Sequence, residues 1–272
     1  MKRDISKHYI IIGGMKCGTT SLFHSLSKNC PSINPSVVKD TKFFVDRDRG
    51  GNWETGIDWY LAMFPPLNGI KLEASTHYTK YPDYPGVPAR IKQVLKNVKL
   101  IYLVRDPLQR SISHFFHNLL VDREKLDINQ ALSTIRNKYI NYSDYALQLS
   151  QYYDYFAPED IVIINIVEEE YREKSLEALK HFLGIETSNP FVLERSNTVK
   201  DNFVKADKNI NIAPDIINSS ENNIELALKF GLSYDNLIKM IQLCRENAVK
   251  FQNYYPFTIN HWLDKYKNYL LY

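Results

Sequence analysis

Apolar residues in this chain fall into two alternating patterns. Short unbroken runs occur at Tyr9–Ile12, Val98–Val104 and Ile161–Ile164, with a weaker alternating one from Gly69 to Ser75. Such β-branched runs are too short for a core helix and suit strands buried in a parallel sheet. Between them, apolar positions recur at helical spacing: Leu22, Phe23 and Leu26; Trp53, Trp59, Tyr60 and Met63; Val87, Ile91, Val94 and Leu95. Pro65 and Pro66 end the second of these, and Pro107 suits the first turn of a helix that follows the Val98–Val104 run. Helices rich in Tyr and Asn are predicted across Asp122–Phe156. Further helices are predicted over Val167–Phe182, closed by Gly184, and over Tyr234–Phe251. The sum is an α/β chain with a central parallel sheet and flanking helices. No repeat or linker is visible, so residues 1–272 read as one domain.

One stretch fits neither pattern. Val37-Val38-Lys39-Asp40-Thr41-Lys42-Phe43-Phe44 has apolar flanks and a charged middle. It reads either as an edge strand with exposed charges or as a segment that holds Asp40 in a cleft.

Composition narrows the choices. With 44% hydrophobic and 24% charged residues the chain is an ordinary globular protein. A net charge of +3 fits an anionic ligand but is too small to imply nucleic acid. The three cysteines, Cys17, Cys30 and Cys244, give neither a disulfide framework nor a metal spacing. His114 and His117 have no flanking acidic ligands, so no metal is expected. No run approaches the about 18–20 apolar residues of a membrane span. The apolar run behind Lys2 and Arg3 is too short for a signal peptide. A soluble, cytoplasmic protein with no membrane partner is therefore expected.

The chemistry concentrates behind the first strand. Gly13-Gly14-Met15-Lys16-Cys17-Gly18-Thr19-Thr20-Ser21 joins that strand to a helix beginning near Gly18. Glycines let several backbone N–H groups face one point, and a helix N-terminus adds its positive dipole end. Lys16, Thr19 and Thr20 add a cation and two hydroxyls. A phosphate suits this set. The general NTPase loop requires lysine directly after its second glycine, where this chain has Thr19. A second cluster, Arg105-Asp106-Pro107, stands at the carboxyl end of a core strand, where α/β sheets bind ligands. Arg105 can clamp a phosphate with its planar fork, and Ser113 offers a hydroxyl further along the helix.

These motifs resemble those of sulfotransferases that use 3′-phosphoadenosine 5′-phosphosulfate (PAPS), with heparan-sulfate-type members the most similar. Lys16-Cys17-Gly18-Thr19-Thr20-Ser21 resembles the family's 5′-phosphosulfate loop. Arg105-Asp106-Pro107-Leu108-Gln109-Arg110-Ser111-Ile112-Ser113 resembles its 3′-phosphate motif. Asp40-Thr41-Lys42-Phe43-Phe44 is similar to the segment whose acidic residue is the family's catalytic base, with Asp for Glu. Trp59-Tyr60 matches a family Trp-Tyr element.

The resemblance implies a P-loop-like sulfotransferase fold with PAPS as co-substrate and adenosine 3′,5′-bisphosphate as product. Lys16 and Asp40 would be catalytic. Lys16, Cys17, Gly18, Thr19, Thr20, Ser21, Arg105 and Ser113 would bind the donor. Glu73 and His77 are weaker candidates for acceptor contacts. Tyr142, Tyr145, Tyr152, Tyr153 and Tyr155 can line an acceptor pocket or belong to the core. Lys200, Lys205 and Lys208 fall where the family has a basic closing loop, and Pro256–Leu263 resembles the segment before its last helix. Heparan-type members often carry Glu-Lys-Ser/Thr-Pro where this chain has Glu73-Ala74-Ser75-Thr76. The missing lysine points to a small-molecule acceptor rather than a highly anionic glycan. An oligosaccharide is the second reading, and a nucleotide kinase is the third. The absence of a membrane anchor and of the C-terminal disulfide of Golgi members points to a microbial member. Oligomeric state is left open.

Overall fold

A computed structural model describes residues 7–133, 137–184, 193, 222–255 and 259–270. In chain order the elements are β1 (His8–Gly13), α1 (Thr19–Asn29), β2 (Ile33–Pro35), α2 (Ile57–Ala62), β3 (Ile70–Ala74), α3 (Val87–Val94) and β4 (Val98–Leu103). Then come α4 (Pro107–Leu120), α5 (Ile128–Leu132), α6 (Lys138–Asn141), α7 (Tyr145–Tyr153), β5 (Ile161–Ile164) and α8 (Glu169–Leu183). The series ends with α9 (Asn223–Lys229), α10 (Tyr234–Phe251) and α11 (Asn260–Leu270). The chain forms two compact units, Met1–Val104 with Leu147–Glu194, and Arg105–Ala146 with Arg195–Tyr272.

The first unit holds one five-stranded sheet in the order β2-β3-β1-β4-β5, every pair parallel. Strand β1 sits centrally and is buried along its whole length, which explains its unbroken apolar run. The chain leaves β1 for β2 and β3 on one side and for β4 and β5 on the other, so crossovers diverge at the carboxyl end of β1. That is where parallel α/β sheets open a crevice for ligands. Tyr9 and Ile11 pack with Leu22, Leu26, Leu72, Ile101, Leu103 and Leu179 in one apolar core. Helix α8 is tied back at its carboxyl end. The Tyr9 hydroxyl donates to the Leu183 carbonyl at 2.6 Å, and Lys99 Nζ donates to the Phe182 carbonyl at 3.0 Å. Gly184 closes the helix in the left-handed region at φ +63°.

Two local readings are revised. The edge strand is Ile33–Pro35, not Val37–Phe44. Only three residues pair, and Pro35 cannot donate to a ladder, so the sequence carries no strand signal there. The Val37–Phe44 stretch is irregular, with Asp40 and Lys42 both in the left-handed region at φ +62° and +52°. The single helix expected over Trp53–Met63 is a 3-10 turn, Trp53–Thr55, then α2, interrupted at Gly56 with φ +85°.

In the second unit α4 packs against α6, α9 and α10. The Asp106 carboxylate caps α4 by accepting from the amides of Leu108 at 2.9 Å and Gln109 at 3.1 Å. The Tyr266 hydroxyl on α11 donates to the same oxygen at 2.9 Å. Arg110 is fully buried, donating to the Ser143 hydroxyl at 2.6 Å and the Tyr139 carbonyl at 2.9 Å. Its role is to join α4 to the α6 region.

Candidate active site

The loop behind β1 is shaped by close approaches. Gly14 donates its amide to the Leu103 carbonyl on β4 at 2.8 Å, and a Cβ on Gly13 would lie 1.8 Å from the Thr79 hydroxyl oxygen. Gly13 also has φ +151°, a conformation that side chains rarely adopt. Lys16 takes φ +69° and Gly18 φ +91°, turning the chain sharply into α1. Gly18 caps α1 without a side-chain bond, and the first intrahelical bond runs from the Leu22 amide to the Gly18 carbonyl at 3.0 Å. The amides of Thr19, Thr20 and Ser21 therefore precede the helical ladder at its positive end, with no acidic residue in the first turn. The Thr19 side chain is buried, while Thr20, Ser21 and Lys16 are partly exposed. Cys17 differs from the rest. Its thiol is wholly buried in the core, and its amide donates to the Gly14 carbonyl at 3.1 Å.

The second component comes from β3 and the segment before it. Ser75 donates its amide to the Ile11 carbonyl at 3.0 Å, and the Thr79 hydroxyl donates to the Ile12 carbonyl at 3.1 Å. These bonds hold the chain after β3 against the carboxyl end of β1. Asp40 is tied to the same place, with its amide on the Ala74 carbonyl at 2.7 Å and its Oδ1 accepting from the Thr76 amide at 3.0 Å. Lys39 donates to Asp40 Oδ2 at 2.8 Å. The structure thus gathers the phosphate-type loop and Asp40 at the carboxyl ends of neighbouring strands.

Electrostatics set the charge states. Burial pushes the Asp40 carboxyl up, but the Lys39 ammonium, the Thr76 amide and His77 together hold it below its ordinary value. Asp40 is ionised near neutrality. His77 is lowered to about 3 by burial and by the Lys80 and Lys42 ammonium groups, against a smaller opposing pull from Asp40. It is neutral near pH 7, with its ring edge-on to Tyr84 at 5.1 Å.

Glu73 does not face a cleft. It is fully buried, and its carboxylate accepts from the hydroxyls of Thr41, Tyr78 and Tyr60. Burial raises its pKa to about 7, against the pull of those three hydroxyls. This cluster is the part of the site that sequence reasoning missed. Trp59-Tyr60 was visible as a family element, but nothing in the pattern linked Tyr60 to Glu73. The tyrosines considered for an acceptor pocket are partly structural. Tyr152 is buried, and its hydroxyl donates to the Tyr78 carbonyl at 2.8 Å.

In the second unit the Tyr145 hydroxyl accepts from the Arg105 amide at 3.3 Å and donates to the Arg105 carbonyl at 2.8 Å. These two bonds fix the backbone of Arg105. Ser113 is buried on α4. Lys200, Lys205 and Lys208, and part of the Pro256–Leu263 segment, lie outside the described residues. Among the described residues no group of three or more His, Cys, Asp or Glu could hold a metal, and no helix is long and apolar enough to cross a membrane.

The family model for the sulfotransferase domain matches residues 6–215, more than half of the chain and all of the site built above. The chain belongs to the sulfotransferase domain family. Among curated sulfotransferases it is similar to the bifunctional heparan sulfate N-deacetylase/N-sulfotransferase 1 of Caenorhabditis elegans, at 27% identity over 57% of this chain and 19% of that protein. It is also similar to the heparan sulfate glucosamine 3-O-sulfotransferase 5 of Mus musculus, at 28% identity over 57% of this chain and 46% of that one. The match thus spans less than half the length of either relative. Among solved structures, a sulfotransferase from Alicyclobacillus acidocaldarius superposes with a TM-score of 0.65 at 19% identity, covering 94% of this chain and 98% of that one. The P-loop-like sulfotransferase fold expected from the sequence is therefore the observed one.

Proposed function

We propose that this sulfotransferase-family chain moves the sulfuryl group of PAPS to a hydroxyl or amine of a small molecule. The observation that carries the reading is the convergence of two components. A phosphate-type loop continues from the carboxyl end of β1, and an ionised carboxylate is hydrogen-bonded to the carboxyl end of β3, which Ser75 and Thr79 bond to β1.

In this reading the amides and hydroxyls of Thr19, Thr20 and Ser21, at the Gly18 cap of α1, hold the 5′-phosphate of the donor. Cys17 serves through the loop backbone alone, since its thiol is in the core. Arg105 and Ser113 hold the 3′-phosphate. The acceptor oxygen or nitrogen attacks sulfur, the bond from sulfur to the 5′-phosphate oxygen breaks, and adenosine 3′,5′-bisphosphate leaves. The protein's work is alignment and stabilisation of charge on the leaving oxygen, as in phosphoryl transfer. Lys16 supplies the cation for that charge. Asp40 takes the acceptor proton, and its depressed pKa keeps it in the basic form at neutral pH.

Ala74 stands where heparan-type members often carry lysine, and Val37 and Val38, three and two positions before Asp40, are 65% and 48% exposed. Both features favour an acceptor with an apolar body over a highly charged glycan. An oligosaccharide acceptor is the second reading, favoured by the heparan sulfate activities of the named relatives. Thr19, in the place of the NTPase lysine, disfavours a nucleotide kinase.

The test is transfer of label from sulfur-35 PAPS to a panel of small phenols, alcohols and amines, with a desulfated heparin oligosaccharide alongside. Labelled small-molecule product that disappears in Asp40→Asn supports the reading. Label transfer to the oligosaccharide alone moves the acceptor to the second reading, and no transfer to any acceptor contradicts the activity.

A further inference from the structure

We infer that Glu73 is a positioning residue, which holds Asp40 in place for proton transfer without touching the reactants. The inference rests on the reading of Asp40 as the base. The segment Asp40–Phe44 has no regular structure of its own, and two of its non-glycine residues are left-handed. Such a conformation persists only where surrounding bonds over-determine it. Here those bonds lead to one buried carboxyl group.

The Thr41 hydroxyl donates to Glu73 Oε1, and its oxygen accepts from the Phe43 amide at 3.3 Å. The Tyr78 hydroxyl donates to the same Oε1 at 2.5 Å, and its oxygen accepts from the Phe44 amide at 3.4 Å. Tyr60 donates to Oε2 at 3.1 Å, and its ring stacks on Phe43 at 4.6 Å between centroids. Glu73 therefore sets the direction of two hydrogen-bond chains. Because both hydroxyls point their protons at Oε1, their lone pairs face the loop amides. The residue after Glu73 completes the arrangement, since the Ala74 carbonyl accepts the Asp40 amide at 2.7 Å. No described cation forms an ion pair with Glu73, so its three hydroxyl donors carry the burial of this carboxyl group.

The geometry makes glutamine a discriminating replacement. With its oxygen in the Oε1 place it still accepts from Thr41 and Tyr78, and its Nε2 donates to the Tyr60 hydroxyl. A positioning role survives this exchange, whereas a role in proton transfer or acceptor binding through the charge does not. Leucine removes every bond, and Thr41→Val removes only one chain while keeping the shape of the loop residue.

The experiment measures kcat and KM for sulfuryl transfer, together with titration of adenosine 3′,5′-bisphosphate, on the full chain. Glu73→Gln is expected to stay within about fivefold of wild type. Thr41→Val is expected to lose about tenfold in kcat and Glu73→Leu about a hundredfold or more, with bisphosphate affinity unchanged within twofold. A Glu73→Gln variant as inactive as Asp40→Asn, or a Thr41→Val variant with full kcat, overturns the inference. Where wild type itself transfers nothing, the sulfotransferase reading fails on its own. Positioning is then read from the crystal structure of Thr41→Val. Loss of the left-handed φ at Asp40 and of the Thr76 bond supports it, and an unmoved Asp40 overturns it.

Discussion

The amide of Thr76 donates to Oδ1 of Asp40 at 3.0 Å, so the carboxylate proposed as the base is held by the first residue past Ser75 at the end of β3. Ser75 in turn bonds the Ile11 carbonyl on β1, the strand that leads into the phosphate-type loop. The two chemical components of the site therefore share one rigid support. Replacing Asp40 by Asn keeps the size of the side chain and its acceptor for Thr76 while removing the base. Turnover should fall by about 10²- to 10⁴-fold, and bisphosphate affinity should stay within about twofold. Steady-state kinetics and calorimetric titration on the same preparation check both.

Glycine at position 13 is required by space as well as by backbone angle. Its missing Cβ would meet the Thr79 hydroxyl oxygen at 1.8 Å, and its φ is +151°. Gly13→Ala should destabilise the protein by about 2–4 kcal/mol. Thr79→Ala in the same chain should restore only part of this, because it relieves the contact and leaves the backbone angle. Chemical denaturation of the single and double variants measures the difference.

Glu73 makes stability depend on pH. Its folded pKa of about 7 lies above the ordinary 4.5, so between those values the folded protein holds a proton that the unfolded chain releases. The stabilisation from this group is full below pH 4.5, declines as pH rises through the window, and is gone above 7. Relative to Glu73→Gln, wild type should lose about 3 kcal/mol of stability between pH 4.5 and 8. Denaturant midpoints of both proteins across that range check it, and a constant difference contradicts it.

Cys17 lies inside the loop but belongs to the core. Cys17→Ala should cost about 1–2 kcal/mol of stability through lost packing and leave bisphosphate affinity unchanged. In the native protein the thiol should react slowly with thiol reagents, because it is wholly buried. Titration and timed labelling separate this from a ligand contact by the side chain.

Much of the fold was legible because the central strands are buried on both faces. The runs Tyr9–Ile12 and Val98–Val104 carry their assignment in their composition, and the glycines between β1 and α1 carry the turn. Strand β2 was not legible, since three pairing residues ending in proline leave no period to read. The Asp40 segment was ambiguous for a different reason. Its conformation is set by Glu73, Tyr60 and Tyr78, partners up to 37 residues away from Thr41, and not by local propensity. Asp40 itself was nameable from its motif, whereas the burial of Glu73 and the pairing of Lys39 with Asp40 required coordinates.

The most direct test of the donor site is calorimetric titration with adenosine 3′,5′-bisphosphate, 5′-AMP and ATP, on wild type and on Lys16→Ala and Arg105→Ala. The bisphosphate should bind at least about tenfold more tightly than either competitor. Arg105→Ala should weaken it by about 10- to 100-fold, as expected for loss of a charge-assisted phosphate contact. Binding of ATP that equals or exceeds that of the bisphosphate, or affinity indifferent to both substitutions, would contradict the donor-site reading.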